Sequence, residues 1–438
     1  MQHAAVRRTV ARALLLLSCV AFPTASNSAP CDARAWGAAG DGRDDTEALQ
    51  AALAHCAVTV VRNGSFVTGP LRLRSHSSLV VSAGAALVAK TGSRGWPREV
   101  VDGEDMFAPL VAIDDADHAT LTGGGAIDGR GDAFWYEAKD AGSLSGLKPP
   151  RLVRVLQSRN VEVSGLSLLR SPFWTVHIVR SRDVAVRNVT VRNLGHINTD
   201  GVDVDSSEDT LIEHCNFAVR DDVVAYKAKT APCRRHLLRH NTFRGRSSEG
   251  KLAGGGIAIG SEVQFGVSDV FVHDCTVSDA GAALYVKTNA KRGGYIRNIT
   301  FVDISMTNVH RPLLVQTDYG APKAPGGDDC ATPAARGLKK EKPMTQIDGL
   351  RFSHIRFAAG PALRGAGQLQ GTSAMPLRGL VFEDFTVVSA ANYTGAKTLK
   401  WDCRCAFGKA KRTTPPLDCL RKAETRIFVQ ARGRRRRP

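Results

Sequence analysis

The sequence has few aromatic residues and no apolar stretch long enough to cross a membrane. Aromatics make up 6% of its 438 residues and charged residues only 23%, and after the N-terminus no segment reaches the roughly 18 apolar residues of a transmembrane helix. The low charge, together with a hydrophobic content of 43%, excludes general disorder. Glycine is frequent, at 42 residues, and with so few aromatics it favours strands and tight turns over a helical bundle.

Acidic residues are in deficit, because 59 Lys and Arg oppose 42 Asp and Glu and give a formal net charge of +17. Three arginines near the N-terminus and five near the C-terminus account for eight of these charges, which leaves +9 on the body of the chain. A basic body favours an anionic partner: a nucleic acid, an acidic membrane surface or an acidic polysaccharide. A basic tail is expected at residues 426–438, and no aromatic residues interleave with its run Arg434–Arg437 to favour nucleic acid.

The N-terminus has the pattern of a secretory leader. Three arginines precede an apolar run at residues 13–22, and small residues follow from Thr24 to Ala29. We therefore predict a signal peptide at residues 1–29 and a secreted protein, extracellular or periplasmic, in which disulfides can form. Nine cysteines remain after the leader, and an odd number leaves at least one thiol unpaired.

A pattern of short strands recurs along the middle of the chain. Counted from a polar or glycine residue, apolar residues stand at positions +1, +3, +6 and +8, so that Asn160 is followed by Val161, Val163, Leu166 and Leu168. Further copies, some imperfect, start at Asp183, Asp209, Arg235, Asp269, Asn298, Gly349 and Gly379. The alternation indicates one buried strand face, and the break between +3 and +6 indicates a bend.

A repeat of this length predicts an all-β solenoid, a parallel β-helix that extends over residues 30–425. A propeller would need about four strands in every 40–45 residues, and a sandwich would not repeat one two-strand unit so often. The longest intervals carry insertions, which we expect as loops along one rim of a groove. Cys215 and Cys275 occupy the inward +6 position and are expected as small core residues.

The ends of the solenoid carry candidate caps. The amphipathic segment Thr46–Ala54 predicts a short helix over one end. Cys31 and Cys56 bracket it and are candidates for a disulfide, as are Cys403 and Cys419 at the other end, although sequence alone does not fix the connectivity.

Acidic side chains fall in two neighbouring coils. Asp200 stands 21 residues before Asp221, which is close to one coil, and Asp222 follows. Because neighbouring coils lie about 4.8 Å apart, the three carboxylates are expected in one patch, where repulsion raises at least one pKa. Such a set suits glycoside hydrolysis, which needs a protonated acid and an ionised base or nucleophile. Aspartates at solenoid turns and a calcium site, toward which Asp203 and Asp205 point weakly, are the alternatives.

Several ordered motifs resemble those of the polygalacturonase family of pectin-degrading glycoside hydrolases. The resemblance runs from about Cys31 to Leu420. Its motifs are GAAGDGRDDT at 37–46, SPFWTVH at 171–177, NTDG at 198–201, the pair Asp221-Asp222 after Arg220 where the family has glycine, GGGIAIGSE at 254–262, and YVKTN at 285–289. It implies a right-handed, single-stranded parallel β-helix, an inverting mechanism and no cofactor or metal.

The resemblance also implies roles for individual residues. Asp221 corresponds to the general acid, and Asp200 and Asp222 to the pair that activates water. In an inverting enzyme, acid and base carboxyls stand about 6.5–9.5 Å apart. Substrate-binding positions correspond to Lys287, which would pair with a galacturonate carboxylate, and to Asn198, Tyr285 and Tyr319.

Two departures from the family pattern affect substrate recognition. Gly255 stands where the family has a histidine, and Tyr285 stands where it has an arginine. The loss of two groups that bind acidic sugars, with the aspartates retained, predicts an altered substrate preference, in which Gly255 leaves room for a branch and Tyr285 stacks on a sugar. His196, four residues before Asp200, is a candidate replacement for the missing histidine, although an ordinary loop histidine is the simpler interpretation.

Three functions are compatible with these residues. The first is a secreted hydrolase of α-galacturonosyl linkages in pectic polysaccharide, monomeric and with neither a nucleic-acid nor a membrane partner. The second is a calcium-dependent pectic lyase, which would need a basic residue beside a calcium cluster. The third is a polysaccharide-binding solenoid that has lost activity with the histidine and the arginine.

Overall fold

The computed structural model describes residues 29–421, except 93, 134–146, 246–251, 321–329, 331–343, 359 and 389–398. Of the leader predicted at residues 1–29 only the last is described, and the tail predicted at 426–438 lies outside. No helix among the described residues is long and apolar enough to cross a membrane.

The chain is a single-stranded, right-handed parallel β-helix, which confirms the fold predicted from the repeat. Successive coils stack their strands in two long parallel sheets of 11 and 21 strands, which we call the front sheet and the back sheet. The front sheet consists of Leu71–Leu73, Val111–Asp114, Val153–Leu156, Val176–Val179, Val202–Asp205, Val224–Lys227, Ala253–Gly260, Ala280–Lys287, Arg311–Gln316, Gly367–Gln370 and Trp401–Arg404.

The back sheet bends along its length, so most early coils contribute two strands to it and the later coils one long strand each. The first strands of the early coils are Cys31–Asp32, Val58–Val61, Ser78–Val81, Asp117–Gly123, Arg159–Ser164, Arg182–Arg187, Glu208–Glu213 and Cys233–Arg239. The second strands are Asp41–Asp44, Gly64–Thr68, Ala85–Ala89, Ala126–Asp128, Ser167–Leu169, Thr190–Asn193, Asn216–Val219 and Thr242–Arg244. The long strands are Val267–Ser278, Tyr295–Thr307, Gln346–Ala358, Leu377–Val388 and Ala406–Thr414. One antiparallel hairpin, Arg98–Val101 with Glu104–Phe107, stands apart from both sheets.

The register of the back sheet matches the repeat read from the sequence. Val161 pairs with Val184, and Ile299 with Leu350, as the +1 positions require. The starting residue of every copy has left-handed backbone, with φ between 53° and 74°: Asn160, Asp183, Asp209, Arg235, Asp269, Asn298, Gly349 and Gly379. Glycine, asparagine and aspartate tolerate this conformation best, which explains why they recur at the start of the unit. The +5 residues are left-handed as well, from Gly165 to Asp384, and they make the predicted bend.

The third strand of each coil, in the front sheet, was not evident from the sequence. Strands such as Val202–Asp205 and Val224–Lys227 are buried along their whole length, including the polar residues that face outward. Valine and aspartate do alternate in Val202–Asp205, but this alternation is only four residues long and lies outside the unit counted from the start residues, so the repeat did not reveal the strand.

The predicted cap is present. The helix Thr46–His55, called α1, buries Leu49, Ala52 and Leu53 at the first coils, after a 3₁₀ turn at Ala33–Trp36. The Gln50 side chain accepts from the Arg72 amide at 2.8 Å and donates to its carbonyl at 3.2 Å. It thereby pairs with the edge of the front sheet, which would otherwise present free backbone groups to another chain.

The described part of the chain contains three disulfides, and two of them are the predicted candidates Cys31–Cys56 and Cys403–Cys419. The third, Cys330–Cys405, links positions 75 residues apart and had no signal in the sequence. Cys215 and Cys275 are buried free thiols, as expected, and Cys233 is a third.

Candidate active site

Three carboxylates meet where two neighbouring front-sheet strands begin. Asp200 precedes the strand Val202–Asp205, and Asp221 and Asp222 precede the strand of the next coil. The amide of Gly201 donates to the Asp222 carbonyl at 3.0 Å, which fixes the two coils in this register. One oxygen from each carboxylate lies within 4.8 Å of the other two, so the predicted patch is present.

Burial and mutual repulsion favour protons in this cluster. Asp200 is 3% exposed, and burial together with the charges of Asp203, Asp221 and Asp222 raises its pKa well above 3.8. Burial and the neighbouring Asp222 raise the pKa of Asp221 too, against the opposing charge of Lys287. The three groups therefore do not all ionise in the range where an isolated aspartate would.

Lys287 forms a direct ion pair with one member of the cluster. Its Nζ lies 2.7 Å from Oδ2 of Asp222, and both residues are buried. Burial alone would lower the pKa of Lys287, but the Asp222 carboxylate outweighs it and the pKa is raised. The contact places a positive charge directly against the Asp222 carboxylate.

Two tyrosines predicted as substrate-binding residues flank this lysine. Nζ of Lys287 lies 4.6 Å from the ring centre of Tyr285 and 5.1 Å from that of Tyr319. Gln316 donates to the Tyr285 hydroxyl at 2.9 Å, and burial raises the pKa of Tyr285 to about 12. Tyr285, at the arginine position of the family, therefore holds the lysine by a cation–π contact rather than presenting a second cation.

Asp221 is the most accessible of the three aspartates and is held by its own neighbours. Its Oδ2 accepts from the backbone amide of Asn198 at 3.1 Å, and its Oδ1 accepts from the amide of Asp222 at 3.0 Å. Asn198 itself is exposed, with left-handed backbone at φ 55°. The NTDG turn thus orients the Asp221 carboxyl from the preceding coil.

Gly255 does not leave open space, which makes the expectation of room for a branch wrong. A Cβ built at this residue would lie 2.4 Å from Oδ1 of Asp222 and 3.3 Å from the Tyr285 ring. That oxygen of Asp222 is buried and has no hydrogen-bond partner among the described residues. Without a side chain at residue 255, the Asp222 carboxylate can occupy this position, with one acceptor left for substrate or water.

Asp203 and Asp205, which point weakly to a calcium site in the sequence, form ion pairs with lysines in the structure. Nζ of Lys227 lies 3.6 Å from Asp203 and 3.2 Å from Glu262, and Lys229 lies 3.7 Å from Asp205. All these groups are buried or partly buried beside the cluster. Neither lysine was predicted from the sequence, although Lys227 ends the front-sheet strand that follows Asp221 and Asp222, and Lys229 comes two residues later.

His196, the candidate replacement for the missing histidine, pairs with a carboxylate outside the cluster. Its Nε2 lies 3.0 Å from Asp132, and burial lowers its pKa. This ion pair agrees with the simpler interpretation of His196 as an ordinary loop histidine.

Comparison with known proteins identifies the family. The sequence profile of the glycosyl hydrolases family 28 matches residues 68–338. The chain belongs to this family. It is therefore a polygalacturonase-like glycosidase.

Relatives of this family 28 glycosidase are found in plants and bacteria. It is 27% identical over 410 residues to a probable polygalacturonase of Vitis vinifera, covering 87% of this chain and 78% of the relative. It is 29% identical over 304 residues to an endo-polygalacturonase of Pectobacterium parmentieri, covering 64% and 73%. The fold is shared with an exopolygalacturonase of Thermotoga maritima, with a TM-score of 0.71, 23% identity and coverage of 86% of this chain and 91% of the other.

The spacing of the carboxylates accommodates a shared water. Oxygens of the three groups lie within 4.8 Å of one another, and a water about 2.8 Å from each of two such oxygens can hydrogen-bond to both.

Proposed function

We propose that this protein hydrolyses α-galacturonosyl linkages in pectic polysaccharide, with inversion of the anomeric carbon. The observation that carries the proposal is the cluster of Asp200, Asp221 and Asp222, in which Lys287 pairs directly with Asp222. Such a cluster holds both a proton and a negative charge near the same bond, which acid–base hydrolysis needs.

Asp221 is the proposed general acid. It is the most accessible member, and its pKa is raised, so it retains the proton that the glycosidic oxygen must receive. Asp222, paired with Lys287, is the proposed base. Asp200 shares the attacking water with it, and the water lies beside this pair, opposite Asp221, rather than between two facing carboxyls.

The substrate is proposed to be a modified pectic chain more readily than plain polygalacturonate. Tyr285 and Gly255 present no charge where the family has arginine and histidine. Farther along the front sheet there are three more uncharged, partly exposed side chains, the amides of Gln316, Gln368 and Gln370. Amides bind sugar hydroxyls, so this half of the cleft suits neutral or substituted sugars better than a row of carboxylates.

Export and a monomeric state remain part of the proposal. The leader pattern and three disulfides support an oxidising compartment. The site consists of residues of a single chain, and no cofactor enters the proposed steps. The arginine-rich tail is proposed to hold the protein near polyanionic wall material.

A product profile tests this function. The purified protein is incubated with polygalacturonate, rhamnogalacturonan and xylogalacturonan, with and without a chelator. Reducing ends and the ultraviolet absorbance of unsaturated uronides are followed together. Hydrolysis gives reducing ends without new absorbance and survives the chelator. New absorbance lost with the chelator would indicate the calcium-dependent lyase, and binding without cleavage would indicate a non-catalytic solenoid.

A further inference from the structure

An antiparallel hairpin, Arg98–Val101 with Glu104–Phe107, leaves the solenoid just before the front-sheet strand Val111–Asp114. Buried aromatic side chains anchor its base. Trp96 is 7% exposed and donates from Nε1 to a backbone carbonyl at 2.8 Å, and Phe107 is 1% exposed. The hairpin is therefore packed into the fold at its base.

The hairpin crosses the whole width of the front sheet. It departs from the edge where the front-sheet strands begin. Glu99 binds Arg154, whose side chain projects from the middle of a front-sheet strand. At the turn of the hairpin, Asp102 binds Arg180, which directly follows another front-sheet strand and lies at the opposite edge.

Two further contacts connect the hairpin to the coil that carries Asp221 and Asp222. Glu104 lies 2.8 Å from Nζ of Lys148 and 3.5 Å from Nζ of Lys229. Lys229 comes two residues after the strand Val224–Lys227, which begins just after Asp222. The hairpin thus makes contacts as far along the solenoid as the coil that carries two of the three site carboxylates.

The two sides of the carboxylate cluster differ in exposure as a result. On the hairpin side, the polar side chains that face outward from the sheet are buried: Arg154, His177, Asp203 and Asp205 are at most 3% exposed. On the other side, Tyr285, Gln316, Gln368 and Gln370 are partly exposed and Asp402 is exposed. Among the described residues, the outward face of the front sheet is therefore covered on the hairpin side of the cluster and accessible on the other.

We propose, on the basis of the function proposed above, that this hairpin makes the enzyme act at chain ends. A polymer cannot lie across the carboxylates while the hairpin spans the sheet beside them. One end of the chain enters from the open side, and each turnover releases the short piece that fits between the hairpin and the aspartates.

The mode of cleavage is measured on whichever of polygalacturonate, rhamnogalacturonan and xylogalacturonan is hydrolysed fastest. Viscosity and reducing ends are followed together, and early products are resolved by chromatography. Action at chain ends gives one short product from the first time points and a slow loss of viscosity per bond cleaved. A broad ladder of products with rapid loss of viscosity would overturn the proposal while leaving the hydrolase function intact; failure to cleave any of the three would instead count against that function.

Shortening the hairpin tests its part in this behaviour. Replacing residues 99–104 by two glycines leaves Trp96 and Phe107 in place, and Arg154 keeps Asp114 as its partner at 2.6 Å. We expect the folded variant to produce a broad ladder and several times more viscosity loss per bond cleaved. Arg412→Ala, which removes an ion pair with Glu383 on the back sheet, is the matched control and should keep the single product.

The outcome can be decided even if the shortened protein does not fold. The double variant D102N/E104Q keeps the length of the hairpin and removes the two negative charges that pair with Arg180, Lys148 and Lys229. It should add longer products to the early profile. A folded variant of either kind that still releases only the single short product would overturn the assignment of the hairpin.

Discussion

A Cβ atom built on Gly255 would lie 2.4 Å from Oδ1 of Asp222, so the carboxylate fills the space that a side chain at residue 255 would need. The oxygen in question is the one without a hydrogen-bond partner among the described residues, and the other oxygen of Asp222 binds Lys287. The lack of a side chain at residue 255, where the family has histidine, thus allows the proposed base Asp222 to lie where it does.

Gly255→Ala should therefore reduce activity. The added methyl group forces Asp222 to rotate and disturbs its contact with Lys287, and a loss of about 1.4 kcal/mol in transition-state stabilisation corresponds to about tenfold in rate. The measurement is kcat/KM on the preferred pectic polymer. Gly360→Ala is the control, because a Cβ there meets nothing within 4 Å; equal activity of both variants would contradict this view of residue 255.

Lys287→Met should shift the acidic limb of the pH–activity profile to higher pH. Removal of the ammonium group 2.7 Å from Asp222 makes protonation of the cluster more favourable, so the base is lost at a higher pH. Lys287→Arg keeps the charge and should leave the limb nearer its original position. If both variants have the same profile as the parent protein, the lysine does not control the charge of the cluster.

Asp200→Asn should increase stability at neutral pH while it lowers activity. The pKa of Asp200 is raised in the folded protein, so the folded state binds this proton more tightly than the unfolded state does. Its stabilising contribution is complete below the unfolded pKa and declines as pH rises toward the folded pKa, by at most about 1.4 kcal/mol per pH unit. Denaturation at pH 4 and pH 7 should show a gain for the variant that grows with pH, whereas the exposed Asp418→Asn should show none.

The sequence predicts the back sheet in detail because each coil repeats two constraints on it: left-handed backbone at residues such as Asn160 and Asp183, and apolar side chains that alternate from them. It also predicts the meeting of Asp200 with Asp221 and Asp222, because their separation is about one coil.

Contacts between segments far apart in the chain could not be predicted in this way. Glu99 and Arg154 are 55 residues apart, and Asp102 and Arg180 are 78 apart. The repeat relates residues of neighbouring coils only, so no local pattern links these partners. The position of the Asp222 carboxylate above Gly255 likewise depends on side-chain rotation rather than on spacing.

The anomer formed first tests the proposed placement of water. Inversion at an α-linkage releases the β-anomer, which proton NMR detects in the first minutes before mutarotation. We expect this outcome, with Asp200 and Asp222 holding the water together. Initial release of the α-anomer would indicate a covalent intermediate, which carboxyls about 5–5.5 Å apart also permit.

Replacement of Asp221 tests the central claim most directly. Asp221→Asn keeps the shape of the residue and removes the only proton that the account assigns to the leaving oxygen. We predict that release of reducing ends from the preferred pectic polymer falls by at least roughly 10²-fold, with circular dichroism and polymer binding unchanged. A folded variant that loses only a few-fold would contradict the acid–base mechanism proposed for this cluster.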